Sequence, residues 1–207
     1  SGLGSSAALS AAVGAAMHHL SNPGKGIDRD GLSAFAHRAE AHAQQGRASP
    51  MDASTSVEGG VVVVSNRKES MGRWLYTRRL TTPEGERTWE VHGLKPPEDE
   101  VYLVLGNTGV HAPTSQQVAM VAHALEAAPS RIQEIQAIGA IARRGLAALV
   151  KGDYEAVGHA MSENQLLLRN LGVSSPELES LIQAAAPSSL GVKLTGAGGG
   201  GCMVALT

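Results

Sequence analysis

The 207-residue sequence has one cysteine, Cys202, only six aromatic residues and no block of like charge. A lone cysteine excludes an internal disulfide framework and a cysteine-rich zinc module, and it fits a reducing, cytoplasmic setting. The 17 Lys and Arg and 19 Asp and Glu are scattered, so no basic arm for nucleic acid stands out. No apolar run approaches the roughly 20 residues that a membrane-spanning helix needs. Disorder is excluded too, because 43% of the residues are hydrophobic and the net charge is only −2. What remains is one large globular domain or two small ones.

In place of aromatics stand 31 alanines and 25 glycines. Glycine makes up about 12% of the chain against a usual ~7%. It clusters at Gly2–Gly4 and at Gly196–Gly201, which marks backbone approached closely or turned through positive φ. The sequence opens on SGLGSS, a glycine-rich loop without the strand that would hold one still. The expectation is a chain cut inside that loop, lacking an N-terminal portion and poorly stable and inactive by itself.

Read along its length, the sequence predicts an α+β protein. An Ala-rich helix spans 5–20, with Ser5 and Ser6 placed to cap it, and its small residues imply close packing. A second helix, capped by Asp28 or Asp30, runs to about Gln45. Residues 49–52 form a short loop or helical turn, and 59–64 a strand apolar enough to be buried on both faces. Short strands at 74–76 and 88–91 flank a turn at 83–85, in a weaker, more exposed region. Pro96-Pro97 marks a boundary before a strand at 101–105. Helices follow at 113–128, 130–150, 153–171 and 176–186, then a strand–turn–strand ending.

Gly2, Leu3, Gly4, Ser5 and Ser6 lead straight into a helix start, where outward N–H groups attract phosphate and a hydroxyl can reach Mg²⁺. The competing reading is an ordinary capped helix. No Gly-Lys-Ser/Thr follows, so this is not a Walker loop. Gly196–Gly201 fits GxGxxG letter for letter, yet it enters a strand rather than a helix, which rules out a dinucleotide fingerprint. It reads as a loop lying against substrate or another phosphate loop, or as a tight hairpin. Asp52 is either a helix cap or an acid that accepts a proton from a substrate hydroxyl. Glu40 is either a solvated helix charge or a Mg²⁺ ligand. The eight histidines lack metal spacing, His37 and His42 being five apart, and read as structural or surface groups. No Gly-x-Ser-x-Gly elbow supports a serine hydrolase.

Taken in order, GLGSSAA at 2–8, ASPMD at 48–52, GGVVV at 59–63, NTGV at 107–110 and KLTGAGGGGC at 193–202 resemble the GHMP small-molecule kinases. Among these the nearest likeness is to the branch that phosphorylates mevalonate, particularly its archaeal type. The resemblance implies a two-domain fold. Residues 1–97 would be part of an ATP-binding domain like the second domain of ribosomal protein S5, and 98–207 a ferredoxin-like C-terminal domain. It implies transfer from ATP to the C5 hydroxyl of (R)-mevalonate. Gly2, Leu3, Gly4, Ser5 and Ser6 would cradle the ATP phosphates, Ser6 and Glu40 would hold Mg²⁺, and Asp52 would orient or deprotonate the hydroxyl. Thr108, Thr195, Gly196, Ala197 and Gly198 would border the substrate, the glycine loop backing the phosphate loop. A cytoplasmic homodimer is the implied assembly. Phosphomevalonate kinase, homoserine kinase and a non-catalytic nucleotide or metabolite binder are the rival readings.

Three departures stand beside the likeness. The family's lysine-bearing first motif and the Pro-rich segment before the glycines are absent. Glu40 precedes Asp52 by 12 residues, one more than the family spacing leads one to expect. Pro113-Thr114-Ser115 stands where a Ser-Thr-Lys step is common, so Ser115 brings no positive charge.

Overall fold

The computed structural model describes residues 3–83, 85–95 and 98–207. Gly2 of the first glycine loop, Glu84 of the expected turn and the boundary prolines Pro96 and Pro97 lie outside the described residues. Two compact units divide the chain, one of residues 4–96 and the other of residues 1–3 and 97–207.

In the first unit, three helices, α1 (Ser5–Ser21), α2 (Arg29–Ala43) and α3 (Met51–Glu58), precede three strands. The strands are β1 (Val61–Ser65), β2 (Arg73–Thr82) and β3 (Gly85–Leu94), an antiparallel sheet in the order β1-β3-β2. Alanine makes the helix packing possible. Ala7, Ala11, Ala36 and Ala53 are buried together where α1, α2 and α3 meet, with Val57 against them. Gly14 extends this close approach, since a Cβ there would lie 2.7 Å from the Phe35 ring.

The long β2–β3 hairpin corrects the short strands expected at 74–76 and 88–91. Nine registered pairs run from Arg73↔Gly93 to Thr82↔Gly85, with an irregularity between Trp74 and Tyr76. Thr and Arg on the solvent side blurred the alternation, but ladder hydrogen bonds do not need apolar side chains. A second correction concerns β1, whose five residues are all half-buried rather than buried on both faces. It lies at the edge of its sheet, with β3 as its pairing strand. Residues 51–58 form a full helix where a turn was expected.

The second unit carries β4 (Leu103–Asn107), α4 (Thr114–Ala127), α5 (Ile132–Val150), α6 (Tyr154–Asn170), α7 (Pro176–Ala185), β5 (Gly191–Leu194) and β6 (Cys202–Leu206). Its antiparallel sheet has the order β4-β6-β5. Asp153 caps α6, accepting from the Ala156 N–H at 3.0 Å, and Ser175 caps α7 ahead of Pro176. Strand alternation then builds the core. Val192 and Leu194 of β5, with Met203 and Ala205 of β6, meet Leu178 and Ile182 of α7. β4 starts two residues later than the sequence predicts and leaves Leu103, Val104 and Leu105 exposed.

Candidate active site

The start of α1 is held by Gly4, the N-cap residue, at φ 66 in the left-handed region. No side chain caps the helix there, contrary to the capping expected of Ser5 and Ser6. Its first N–H groups carry the positive end of the helix dipole without an acidic residue in the turn to neutralise it. Leu3, just before, is exposed.

Asp52 lies against this loop. A Cβ on Gly4 would stand 3.2 Å from both the Cβ and the Cγ of Asp52, so the absence of a side chain at Gly4 is what lets the carboxylate in. Asp52 sits in the first turn of α3, whose N-cap is Pro50, and does not act as the side-chain cap. It keeps contact with solvent, yet crowding by its neighbours desolvates the carboxyl and raises its pKa above the ordinary value.

Glu40 is buried on α2, which decides against a solvated helix charge. Its Oε2 accepts from the Ser6 hydroxyl at 2.9 Å and from the Gln44 amide at 3.2 Å. Ser6 Oγ and Glu40 Oε2 are held side by side by this hydrogen bond, two hard oxygens of the kind Mg²⁺ takes. One hydroxyl and one carboxylate also suit a cation that takes only one or two protein ligands besides substrate phosphates. The residues fit the ion. No group of three or more His, Cys, Asp and Glu is placed to hold a metal among the described residues.

Two further contacts fix the helices that carry these carboxylates. Buried His37, two turns into α2, is bonded through Nε2 to the Ala48 carbonyl at 3.1 Å, tying α2 to the loop that enters α3. Burial lowers its pKa, which keeps the ring neutral and able to pack edge-on against Trp89. Deeper in, the Tyr76 hydroxyl donates to Ser33 Oγ at 3.0 Å, and Ser33 meets Ser54 Oγ at 3.3 Å. This chain of hydroxyls joins β2, α2 and α3. Neither it nor Gln44 is expected from the sequence analysis, although Gln44 falls four residues after Glu40 and therefore on the same helix face.

The other unit gathers the remaining expected residues. Thr108 donates from both its N–H and its hydroxyl to the Gly201 carbonyl, each at 2.9 Å. The Thr195 hydroxyl donates to Cys202 O at 3.1 Å. Gly196 is exposed and Ala197 half-buried. Gly198 has φ +86, and a Cβ there would fall 2.1 Å from the Val173 carbonyl oxygen. The loop is pinned by Gly199 N–H to Val173 O at 2.7 Å and Gly201 N–H to Val110 O at 2.9 Å. It turns between two strands and opens no helix, so it has no dinucleotide-binding geometry.

Models of one protein family match both ends of the chain. The GHMP kinases N terminal domain matches residues 1–60, and the GHMP kinases C terminal domain matches residues 146–207. The chain belongs to the GHMP kinases. Among similar GHMP kinases, the mevalonate kinase of Aeropyrum pernix is 34% identical over 99% of this chain and 56% of its own length. That of Pyrococcus furiosus is 32% identical over 99% of this chain and 55% of its own. The chain thus spans little more than half the length of these relatives. The structure of L. major mevalonate kinase in complex with R-mevalonate superposes with a TM-score of 0.76 at 25% identity, over 99% of this chain and 56% of that one. The expected α+β, two-domain GHMP kinase fold is borne out.

Proposed function

We propose that the protein transfers the γ-phosphoryl group of ATP to the C5 hydroxyl of (R)-mevalonate, giving 5-phosphomevalonate. The observation that carries this reading is the convergence of Gly4, Ser6, Glu40 and Asp52 at one helix start. The names of the similar proteins supply the choice of alcohol.

On this reading, Gly2, Leu3, Gly4, Ser5 and Ser6 receive the phosphates on backbone N–H groups and hydroxyls. Ser6 and Glu40 hold Mg²⁺, which neutralises phosphate charge when bound. Asp52 accepts the hydroxyl proton as the C5 oxygen bonds to the γ-phosphorus and the bond to the ADP oxygen breaks. Its raised pKa makes it a better proton acceptor than an ordinary aspartate. Little covalent chemistry is asked of the protein, so positioning supplies most of the rate. Residues 1–97 serve as the ATP-binding domain and 98–207 as the C-terminal domain. Within the latter, Thr108, Thr195, Gly196, Ala197 and Gly198 handle the substrate side. A homodimer and a cytoplasmic setting complete the proposal; no helix described is long and apolar enough to cross a membrane.

The test is ADP release by the full-length protein with mevalonate, phosphomevalonate and homoserine as acceptors. Mevalonate is expected to give by far the largest kcat/KM. Preference for another alcohol would reassign the substrate, and ATP binding without transfer to any of them would favour a non-catalytic binder. Asp52→Asn is expected to abolish turnover while nucleotide binding survives; near-normal turnover would remove Asp52 from the mechanism.

A further inference from the structure

In the second unit α6 lies along β5. Gly158 lets the helix backbone reach the start of the strand at Leu190 and Gly191. Farther along the helix, Gln165 reaches the end of the strand, where its Oε1 accepts from the Leu194 N–H at 2.9 Å. The spacings agree, since Gly158 to Gln165 rises about 10.5 Å along a helix and Gly191 to Leu194 about 10 Å along a strand. β5 is an edge strand of its sheet, so the helix side chain supplies an acceptor that a neighbouring strand would otherwise give.

The other end of the same amide holds a second element. Gln165 Nε2 donates to Ser174 Oγ at 3.0 Å and to Glu179 Oε1 at 2.9 Å. Ser174 Oγ in turn donates to Glu179 Oε1 at 2.5 Å, and Arg169 pairs with Oε2 of that carboxylate. Gln165 is 3% exposed, and both the nitrogen and the oxygen of its amide are engaged. Burying an amide is costly, and a residue of similar bulk such as methionine would fill the space without that cost. What the polar side chain adds is a fixed separation between Leu194 and Ser174. Both lead to the glycine loop. Leu194 is followed by Thr195 and Gly196. Ser174 follows Val173, whose carbonyl accepts the Gly199 N–H at 2.7 Å and crowds Gly198.

We infer that Gln165 is a positioning residue of the Gly196–Gly201 loop, joining the strand that enters the loop to the turn on which the loop is pinned, so that the loop meets substrate in one place. This rests on the proposal that the loop handles the substrate side. Gln165 acts through Leu194 and Val173, and its contribution is geometric: a displacement of an ångström in such a loop is enough to slow a reaction that depends on orientation.

The experiment is steady-state kinetics of the full-length protein with mevalonate, at a temperature well below the melting midpoint of each variant. Gln165→Met keeps the bulk and removes all three hydrogen bonds. Its kcat/KM is expected to fall at least about tenfold. Gln165→Glu keeps an acceptor for Leu194 but sets a carboxyl against Glu179. Burial pushes the Glu179 carboxyl up, but the bonds from Arg169, Ser174 and Gln165 outweigh it and hold its pKa below the ordinary value. Beside that negative charge the new carboxyl takes up a proton between about pH 8 and about pH 6, and once protonated it can donate again. The kcat/KM of Gln165→Glu relative to wild type is therefore expected to rise as the pH falls. Gly198→Ala is the reference for the loop itself. If it leaves kcat/KM unchanged, the loop is not on the substrate side and the reading beneath this inference fails. If Gly198→Ala lowers kcat/KM while Gln165→Met lowers only the melting temperature, Gln165 is a structural residue and the inference is overturned. Should Gln165→Met fail to fold, Gln165→Glu decides, since a ratio to wild type that stays flat with pH refutes the positioning role.

Discussion

Gly4 sets how near Asp52 stands to the start of α1. In Gly4→Ala the new methyl would press at 3.2 Å on the Cβ and Cγ of Asp52, and a non-glycine residue would be held at φ 66. The left-handed backbone alone costs about 1–2 kcal/mol, and turnover should fall because the carboxylate is displaced. Denaturant unfolding and steady-state kinetics measure the two effects separately. Asp52 carries a second prediction. Its folded pKa is raised above 3.8, so between the two pKa values the folded state binds more protons than the unfolded one. Stability therefore declines as pH rises through that window, and the full cost applies above the folded pKa. Asp52→Asn should accordingly be the more stable protein at pH 7, the advantage vanishing near pH 3.5; melting curves at both pH values test the sign. The sequence could present Asp52 and Glu40 only as alternatives, because spacing along a helix does not reveal burial. Gln44 drew no attention, because a glutamine near a helix end has no signature until its partner is seen.

Of the three helices of the first unit, α3 was read only as a loop or helical turn, while α1 and α2 were legible from their small apolar residues and from the turns at Asn22–Gly26 and Gly46. The bonds between them were not. Ser33, Ser54 and Tyr76 are ordinary residues in sequence, 43 positions separate Ser33 from Tyr76, and only the fold brings them together. Their hydroxyls hold α2 and α3 in one relation, and with them the Glu40 and Asp52 carboxylates. Tyr76→Phe removes the donor to Ser33 and should cost about 1 kcal/mol. It should lower kcat more than it raises the KM for ATP, a split that a purely global loss of stability would not give. The second unit offers a backbone counterpart. α6 lies so close to the start of β5 that a Cβ on Gly158 would fall 2.3 Å from Leu190 O. Gly158→Ala must drive helix and strand apart, and about 3 kcal/mol of lost stability is expected by chemical denaturation.

Both glycine loops could be found in the sequence, since clustered glycine is rare and each loop adjoins an element that fixes it. How far the strands extended was harder to see, because edge and hairpin strands such as β1 and β2 bury too little for alternation to show. The residues proposed for the reaction are divided by unit, with Gly4, Ser6, Glu40 and Asp52 in one and Thr108 and Gly196–Gly201 in the other. This division supports a test that separates the two contributions. Gly198 sits at φ +86 with no room for a methyl, which would meet Val173 O at 2.1 Å. Gly198→Ala must therefore move the loop and disturb the Gly199 bond to Val173. If the loop handles substrate, kcat/KM for mevalonate should fall at least about tenfold, as expected when reacting groups shift by an ångström. Mn²⁺ affinity at Ser6 and Glu40, read by paramagnetic resonance in the same preparation, should stay at the wild-type value because those ligands belong to the other unit. Unchanged kcat/KM would take the loop out of the reaction. Loss of Mn²⁺ binding together with activity would show that Gly198 supports the cation site as well, and the division of labour between the units would have to be redrawn.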